Sequence, residues 1–210
     1  MNSIETEVLK LIGEKTSDPD VFDTTGIDFI RDSINDAIAE LCMVTGSYKQ
    51  VYYLPLVSGQ FVYPLAWKTD YFGYVLHAFD RERKTPLFQT DPIFLGTMNY
   101  HWLLASGAPT HYYHVGYNSI GVYPTPSSDG NVIELDCVCI PKPYTSDTDQ
   151  VKIRGNYTRA CVFYAVSEFY ASRGDANRAT EWYNKYLETA SIMRLKPMQT
   201  ERYYRAKGDK

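Results

Sequence analysis

The residue pairs with the best claim to chemistry are His111 and His114, Cys137 and Cys139, and Glu134 and Asp136. On a strand, residues three apart point to opposite faces, so the two histidines cannot reach one metal. Cys137 and Cys139 are two apart and share a face, but two thiols without a nearby histidine fall short of a zinc ligand set. Glu134 and Asp136 also share a face, as an acid and base must, yet an exposed polar strand edge is the commoner source of such a pair. His77 and His101 have no ligands at metal spacing. No nucleophile elbow, phosphate-cradling glycine loop or metalloprotease helix occurs. The sequence therefore predicts a protein that is not an enzyme, with no catalytic residues, no metal and no cofactor.

The 19 tyrosines are the other chemical resource. Tyr52, Tyr53, Tyr63, Tyr71, Tyr74, Tyr112, Tyr113, Tyr117 and Tyr123 fall in one β-rich region. They read as half-buried strand residues, as protein-interface residues or as a sugar-stacking platform. The last of these makes a carbohydrate-binding module the alternative function.

These residues need elements to position them. Ile4, Val8, Leu11 and Ile12 step as a short helix, broken by Asp18-Pro19-Asp20. A longer helix carries the apolar stripe Ile27, Ile30, Ile34, Ala37, Ile38 and Leu41, with Asp28, Asp32, Asp36 and Glu40 on its other side and Gly46 past its end. From Tyr48 to Pro143 the pattern turns to strands: 50–57, 60–65, 74–80, 110–116, 119–124 and 132–140. Ser58-Gly59 and Tyr117-Asn118 are turn signals for two hairpins, and Asp91-Pro92 opens a short helix reaching about Tyr100. Near the C-terminus Tyr157, Ala160, Cys161, Tyr164, Ala165 and Glu168 form one helix, which Gly174 stops. Asp175 caps the next, through Ala179, Trp182, Tyr183, Tyr186, Leu187, Ala190 and Met193, until Pro197. So short a connection predicts antiparallel packing. The pair looks like one tetratricopeptide unit, but without a second copy no solenoid follows.

The predicted fold is α+β: a helical bundle from the N- and C-terminal helices with an inserted small antiparallel β domain. The helical core takes 1–47 and 148–195, the β domain 48–147, and an extended basic, aromatic tail 196–210.

No apolar run approaches the roughly 20 residues that cross a bilayer. The N-terminal residues lack a basic region followed by an apolar stretch, so a soluble protein without a signal peptide is expected. The four cysteines read as reduced core thiols. From Lys152 onward there are 12 basic and 6 acidic residues, against 9 and 19 before it, so the chain is +6 behind and −10 in front. That split favours assembly with oppositely charged neighbours over nucleic-acid binding. Asp28, Asp32 and Asp36 facing Arg159 and Arg178 of a neighbour are the candidate subunit-interface residues.

Three runs follow in order: Gly107-Ala108-Pro109-Thr110-His111-Tyr112, then Ile120-Gly121-Val122-Tyr123-Pro124-Thr125-Pro126, then Val138-Cys139-Ile140-Pro141-Lys142-Pro143. With the hairpin beginning at Tyr157, they resemble the head-to-tail adaptor proteins of tailed bacteriophages over about residues 25 to 190. The likeness is to adaptors of short-tailed phages, similar in role to tail tubular protein A. It implies a virion structural protein, made in the host cytoplasm and resident in the neck between capsid and tail. Such a protein forms a ring, twelve copies in that family, joining the portal protein to the tail nozzle or tail tube protein. It has no membrane partner and meets nucleic acid only as the passing genome. A C-terminal extension embraces the portal in that family. By position and character this falls on 196–210, with Met198, Tyr203 and Tyr204 as apolar anchors and Arg202, Arg205 and Lys207 as cations for an acidic portal surface.

Overall fold

A computed structural model describes residues 3–13, 24–65, 70–116, 118–146, 149, 151, 153 and 155–207, with backbone alone at 24, 25, 155, 156 and 192–207. The chain divides into two compact units, Met1–Tyr48 with Pro141–Lys210, and Lys49–Ile140.

The first unit is helical. Helices α1 (Ser3–Ile12), α2 (Thr24–Thr45), α4 (Gly155–Ser172) and α5 (Ala176–Lys207) belong to it, and α3 (Pro92–Met98) to the other unit. The α2 stripe Ile30, Ile34, Ala37, Ile38 and Leu41 is buried, as are Ala160, Cys161 and Ala165 of α4, on which α2 packs. Gly46 ends α2 at φ 61°, a left-handed backbone that costs glycine nothing, and donates its N–H to Cys42 O at 2.9 Å. Gly174 does the same between α4 and α5 at φ 77°, and Asp175 then caps α5 by accepting from Arg178 N–H at 3.1 Å. Inside the unit the buried Glu5 pairs with Arg31 Nε at 2.9 Å, fastening α1 to α2. Ser167 Oγ donates to Ala179 O at 2.8 Å and so ties α4 to α5.

The helix expected to end at Pro197 instead continues to Lys207. A proline removes one i→i−4 hydrogen bond and can kink a helix without ending it.

The second unit is a large curled sheet with strand order β1-β9-β3-β4-β6-β7-β2. Its strands are β1 (Lys49–Pro55), β2 (Val62–Pro64), β3 (Tyr71–Asp80), β4 (Thr85–Gln89), β6 (His111–Val115), β7 (Ser119–Tyr123) and β9 (Val132–Ile140). Two more, β5 (Ser106–Gly107) and β8 (Thr125–Pro126), form a small parallel pair. The long β9 lies between β1 and β3, antiparallel to both, and buries Ile133, Leu135, Cys137, Val138 and Cys139. Pairing of β4 with β6 is parallel, so the chain between them must cross over; α3 and a 3-10 turn, Trp102–Leu104, occupy that crossover.

The fold is thus not a helical bundle with a small inserted antiparallel β domain. Five helices are present among the described residues, and the sheet is seven-stranded, mixed and has its own extensive core. The expected β1–β2 hairpin at Ser58-Gly59 does not form: β1 pairs with β9 and β2 with β7. Turn residues reverse the chain, but the buried alternation on β9 decides what β1 lies against. The β6–β7 hairpin does form, with His111 opposite Tyr123 and Val115 opposite Ser119. Strands β4, β5 and β8 lack the period that would have revealed them.

Candidate interaction surfaces

The first surface is built on the β6–β7 hairpin. His111, Tyr113, Gly121 and Tyr123 share one face of the β6–β7 hairpin, in the pairs His111–Tyr123 and Tyr113–Gly121. Trp102 sits edge-on to Tyr113 and Tyr123, with ring centroids 5.8 and 6.2 Å away. The 3-10 turn is therefore pinned to the sheet by an aromatic cluster. Backbone bonds finish the clasp: Thr110 N–H donates to Tyr123 O at 2.8 Å, and Thr125 N–H to Ala105 O at 3.0 Å. The segments 107–112 and 120–126 converge here, and their role is structural. They hold the crossover in place.

Asp80 braces this clasp from the β3–β4 turn. Fully buried, it accepts from the N–H groups of Glu82 and Arg83, from Arg83 Nε at 2.8 Å and from Asn131 Nδ2 at 2.8 Å. Burial alone would raise its carboxyl pKa, but the Arg83 N–H, the Asn131 amide and the Arg83 guanidinium together outweigh burial and hold it below its ordinary value. Arg83 also donates to Pro109 O, joining the turn to the clasp.

The clasped crossover is an apolar arch. Asp91 caps α3 by accepting from Ile93 N–H at 2.6 Å, and Leu95 alone of the helix is buried. Ile93, Phe94, Met98, Tyr100, Leu103 and Leu104 are exposed. Sequence reasoning missed this arch. Its visible signal is the stretch from 88 to 110, which has no Lys, Arg or Glu and a single Asp, Asp91.

The second surface lies on the helical unit. Residues 1–48 hold 3 basic and 10 acidic residues and 141–210 hold 13 and 8, so the charge split of the chain falls within this unit. Asp28, Asp32 and Asp36 are exposed along α2, and Asp28 lies 3.6 Å from Arg31. Glu40, the fourth member of that line, is half-buried and accepts from Tyr186 Oη at 2.9 Å. It is a structural partner of α5, not a surface charge. On α4 and α5 the cations lie over aromatic rings: Arg159 over Phe163 at 5.4 Å, Arg178 over Tyr170 at 5.3 Å, and Lys185 over Trp182 at 3.9 Å. Arg159 and Arg178 are exposed. The side chains of Met198, Arg202, Tyr203, Tyr204, Arg205 and Lys207 lie outside the described residues, although their backbone belongs to α5.

The residues with chemical potential are scattered. His111 stacks near Phe88 and Tyr123 on one face of β6, and His114 near Phe72 and Tyr112 on the other. His77 lies opposite Asp136, and His101 meets Tyr100 edge-on. Cys137 and Cys139 are fully buried, and burial pushes the Cys137 thiol to about 12, far from a reactive thiolate. Glu134 and Asp136 do share a face, but Glu134 pairs with Arg81 at 3.6 Å. Among the described residues no three His, Cys, Asp or Glu side chains converge as metal ligands, and no helix is long and apolar enough to cross a membrane. Of the β-region tyrosines, Tyr63, Tyr112 and Tyr113 are buried, Tyr52, Tyr74 and Tyr123 half-buried, and Tyr53 and Tyr71 exposed; Tyr117 lies outside the described residues.

The described residues thus offer an apolar arch on the β unit and a charge-split helical unit, with no metal-ligand cluster among them. The model of the SU10 adaptor protein family matches residues 3–208, nearly the whole chain, and the chain belongs to that family. It is accordingly a virion-associated structural adaptor that interacts with other head or tail proteins of a phage. No curated protein sequence matches it.

Proposed function

We propose that this adaptor forms a ring in the neck, joining the portal protein to the tail nozzle or tail tube protein, in a role similar to tail tubular protein A of short-tailed phages. The observation that carries the reading is the family match across nearly the entire chain. In this reading the ring holds twelve copies, the genome passes through it, and neighbours meet through charge. Asp28, Asp32 and Asp36 of one copy face Arg159 and Arg178 of the next.

The C-terminal end of α5 is the portal-gripping segment. At 1.5 Å per residue, the 32 residues of α5 outrun the 18 of its antiparallel partner α4 by about 20 Å. That overhang takes in 196–207, where Met198, Tyr203 and Tyr204 supply apolar anchors and Arg202, Arg205 and Lys207 the charge. The test is removal of 196–210, followed by co-sedimentation and negative-stain imaging with the portal protein. Portal-bound rings should vanish while the thermal midpoint of the core stays put. Undiminished portal binding would overturn the assignment of this segment.

A further inference from the structure

We infer that the uncharged arch between β4 and β6 seats on a second copy of this chain; the inference rests on the ring reading above. Exposures are 79% for Ile93, 55% for Phe94, 69% for Met98, 89% for Tyr100, 56% for Leu103 and 79% for Leu104. At about 200 Å² for a large side chain, these six leave on the order of 800 Å² of apolar surface in water. The largest patch on an ordinary monomer is about 300–600 Å², and one partner's share of a stable interface is about 800 Å². The arch alone is large enough for a specific contact.

Its surface is also held ready. The buried Leu95, the Asp91 cap and the Trp102–Tyr113 contact fix the arch on the sheet, so little ordering remains when a partner arrives.

Composition and supply select the occupant. From 88 to 110 there is no Lys, Arg or Glu and the single Asp, Asp91, is engaged as a helix cap. So charge-poor a surface belongs with permanent, core-like interfaces, not with transient polar ones. It also exposes the free chain to aggregation unless its cover is made alongside it in equal number, and a copy of itself meets that requirement. The same unit offers a candidate receiving surface: Val51 and Tyr53 of β1 and Phe79 of β3 are exposed on either side of Glu134 and Asp136 of β9, with Arg81 paired to Glu134 and lying over the Tyr53 ring at 5.0 Å. In the strand order this row lies at the β1 end and the arch beside β6 and β7, so the two surfaces are distinct. Contact between distinct surfaces is heterologous, which gives a ring when the rotation between copies closes.

The test places a photo-crosslinking amino acid at position 104 of the full chain, irradiated alone at its highest soluble concentration and again after mixing with portal and nozzle proteins. A product of two copies of this chain is expected in at least one sample. Leu104→Glu with Ile93→Glu should keep the thermal midpoint of the free chain and reduce ring formation at least tenfold. If position 104 joins only portal or nozzle protein, or nothing in either sample, the inference falls while a portal-bound ring still stands. If the chain ignores the portal yet crosslinks to itself, the ring reading fails and the arch contact survives.

Discussion

The ring of Tyr113 occupies the space in which residue 121 would carry a side chain: a Cβ at Gly121 would lie 2.2 Å from Tyr113 Cζ. The two residues face each other across β6 and β7, and Trp102 backs the tyrosine ring. The ring therefore cannot retreat without releasing the arch. Gly121→Ala should cost about 3 kcal/mol in urea denaturation, the upper end for overpacking. In a Tyr113→Ala background the same change should cost under about 0.5 kcal/mol, because the obstacle is gone. Equal costs in both backgrounds would mean that the clash is not what makes glycine necessary.

Asp80 satisfies the β3–β4 turn and, through Arg83, the Pro109 carbonyl of the clasp. Asp80→Ala leaves that guanidinium and the Asn131 amide without their acceptor. Breaking a buried pair costs about 3–5 kcal/mol, and the lower end applies because Arg83 keeps 34% of its side chain in water. Chemical denaturation measures this. A loss under about 1 kcal/mol would show that the turn holds without its carboxylate.

Much of this was legible locally, and little of it globally. Asp91-Pro92, Gly174-Asp175 and the α2 stripe announce their helices because capping and period are properties of adjacent residues. Strand partners are not local. Ser58-Gly59 signalled a turn, yet β1 finds its partner in β9, from Lys49 opposite Val138 to Pro55 opposite Val132. The parallel β4–β6 pair left no turn signal at all, since a crossover replaces the hairpin. For the surfaces, spacing placed Asp28, Asp32 and Asp36 in one exposed line but could not tell that Glu40 meets Tyr186. The arch hid because apolar residues at helical spacing read as core until the burial of each is known.

Acid should lower the stability of the protein in two separate pH windows. Burial between Phe72 and Tyr112 holds the His114 imidazole below its ordinary 6.5, so the native state keeps it neutral. As pH falls below 6.5 the unfolded chain takes up the proton first; stability declines and then levels off once the folded pKa is passed. Asp80 acts lower. Its folded pKa lies below 3.8, so its contribution is present above 3.8 and lost as pH falls through the folded value. Thermal midpoints measured across pH should show both declines, and His114→Phe should remove the upper one alone. A variant that keeps the upper decline would assign it to another group.

The charge split of the helical unit makes the sharpest prediction about assembly. Asp32 and Asp36 are exposed on α2, and Arg159 and Arg178 on the hairpin, where the latter is 3.4 Å from Asp175 in an exposed pair of little energetic worth. Reversing the aspartates should therefore change folding stability by less than about 0.5 kcal/mol, and reversing the arginines, which gives up two exposed cation–π contacts, should cost about 1–2 kcal/mol. Assembly should respond differently. If the proposed ring contact is right, Asp32→Lys with Asp36→Lys would set cations against cations there and Arg159→Glu with Arg178→Glu acids against acids, so either pair should block rings on the portal. All four changes in one chain restore opposite charges across every contact, and rings should return. Added salt should weaken the wild-type and fourfold variants alike, because exposed pairs are screened beyond a Debye length of about 10 Å at 0.1 M. Sedimentation of each variant with the portal protein reads the result. Rings that survive both single-sided reversals would show that these faces do not touch.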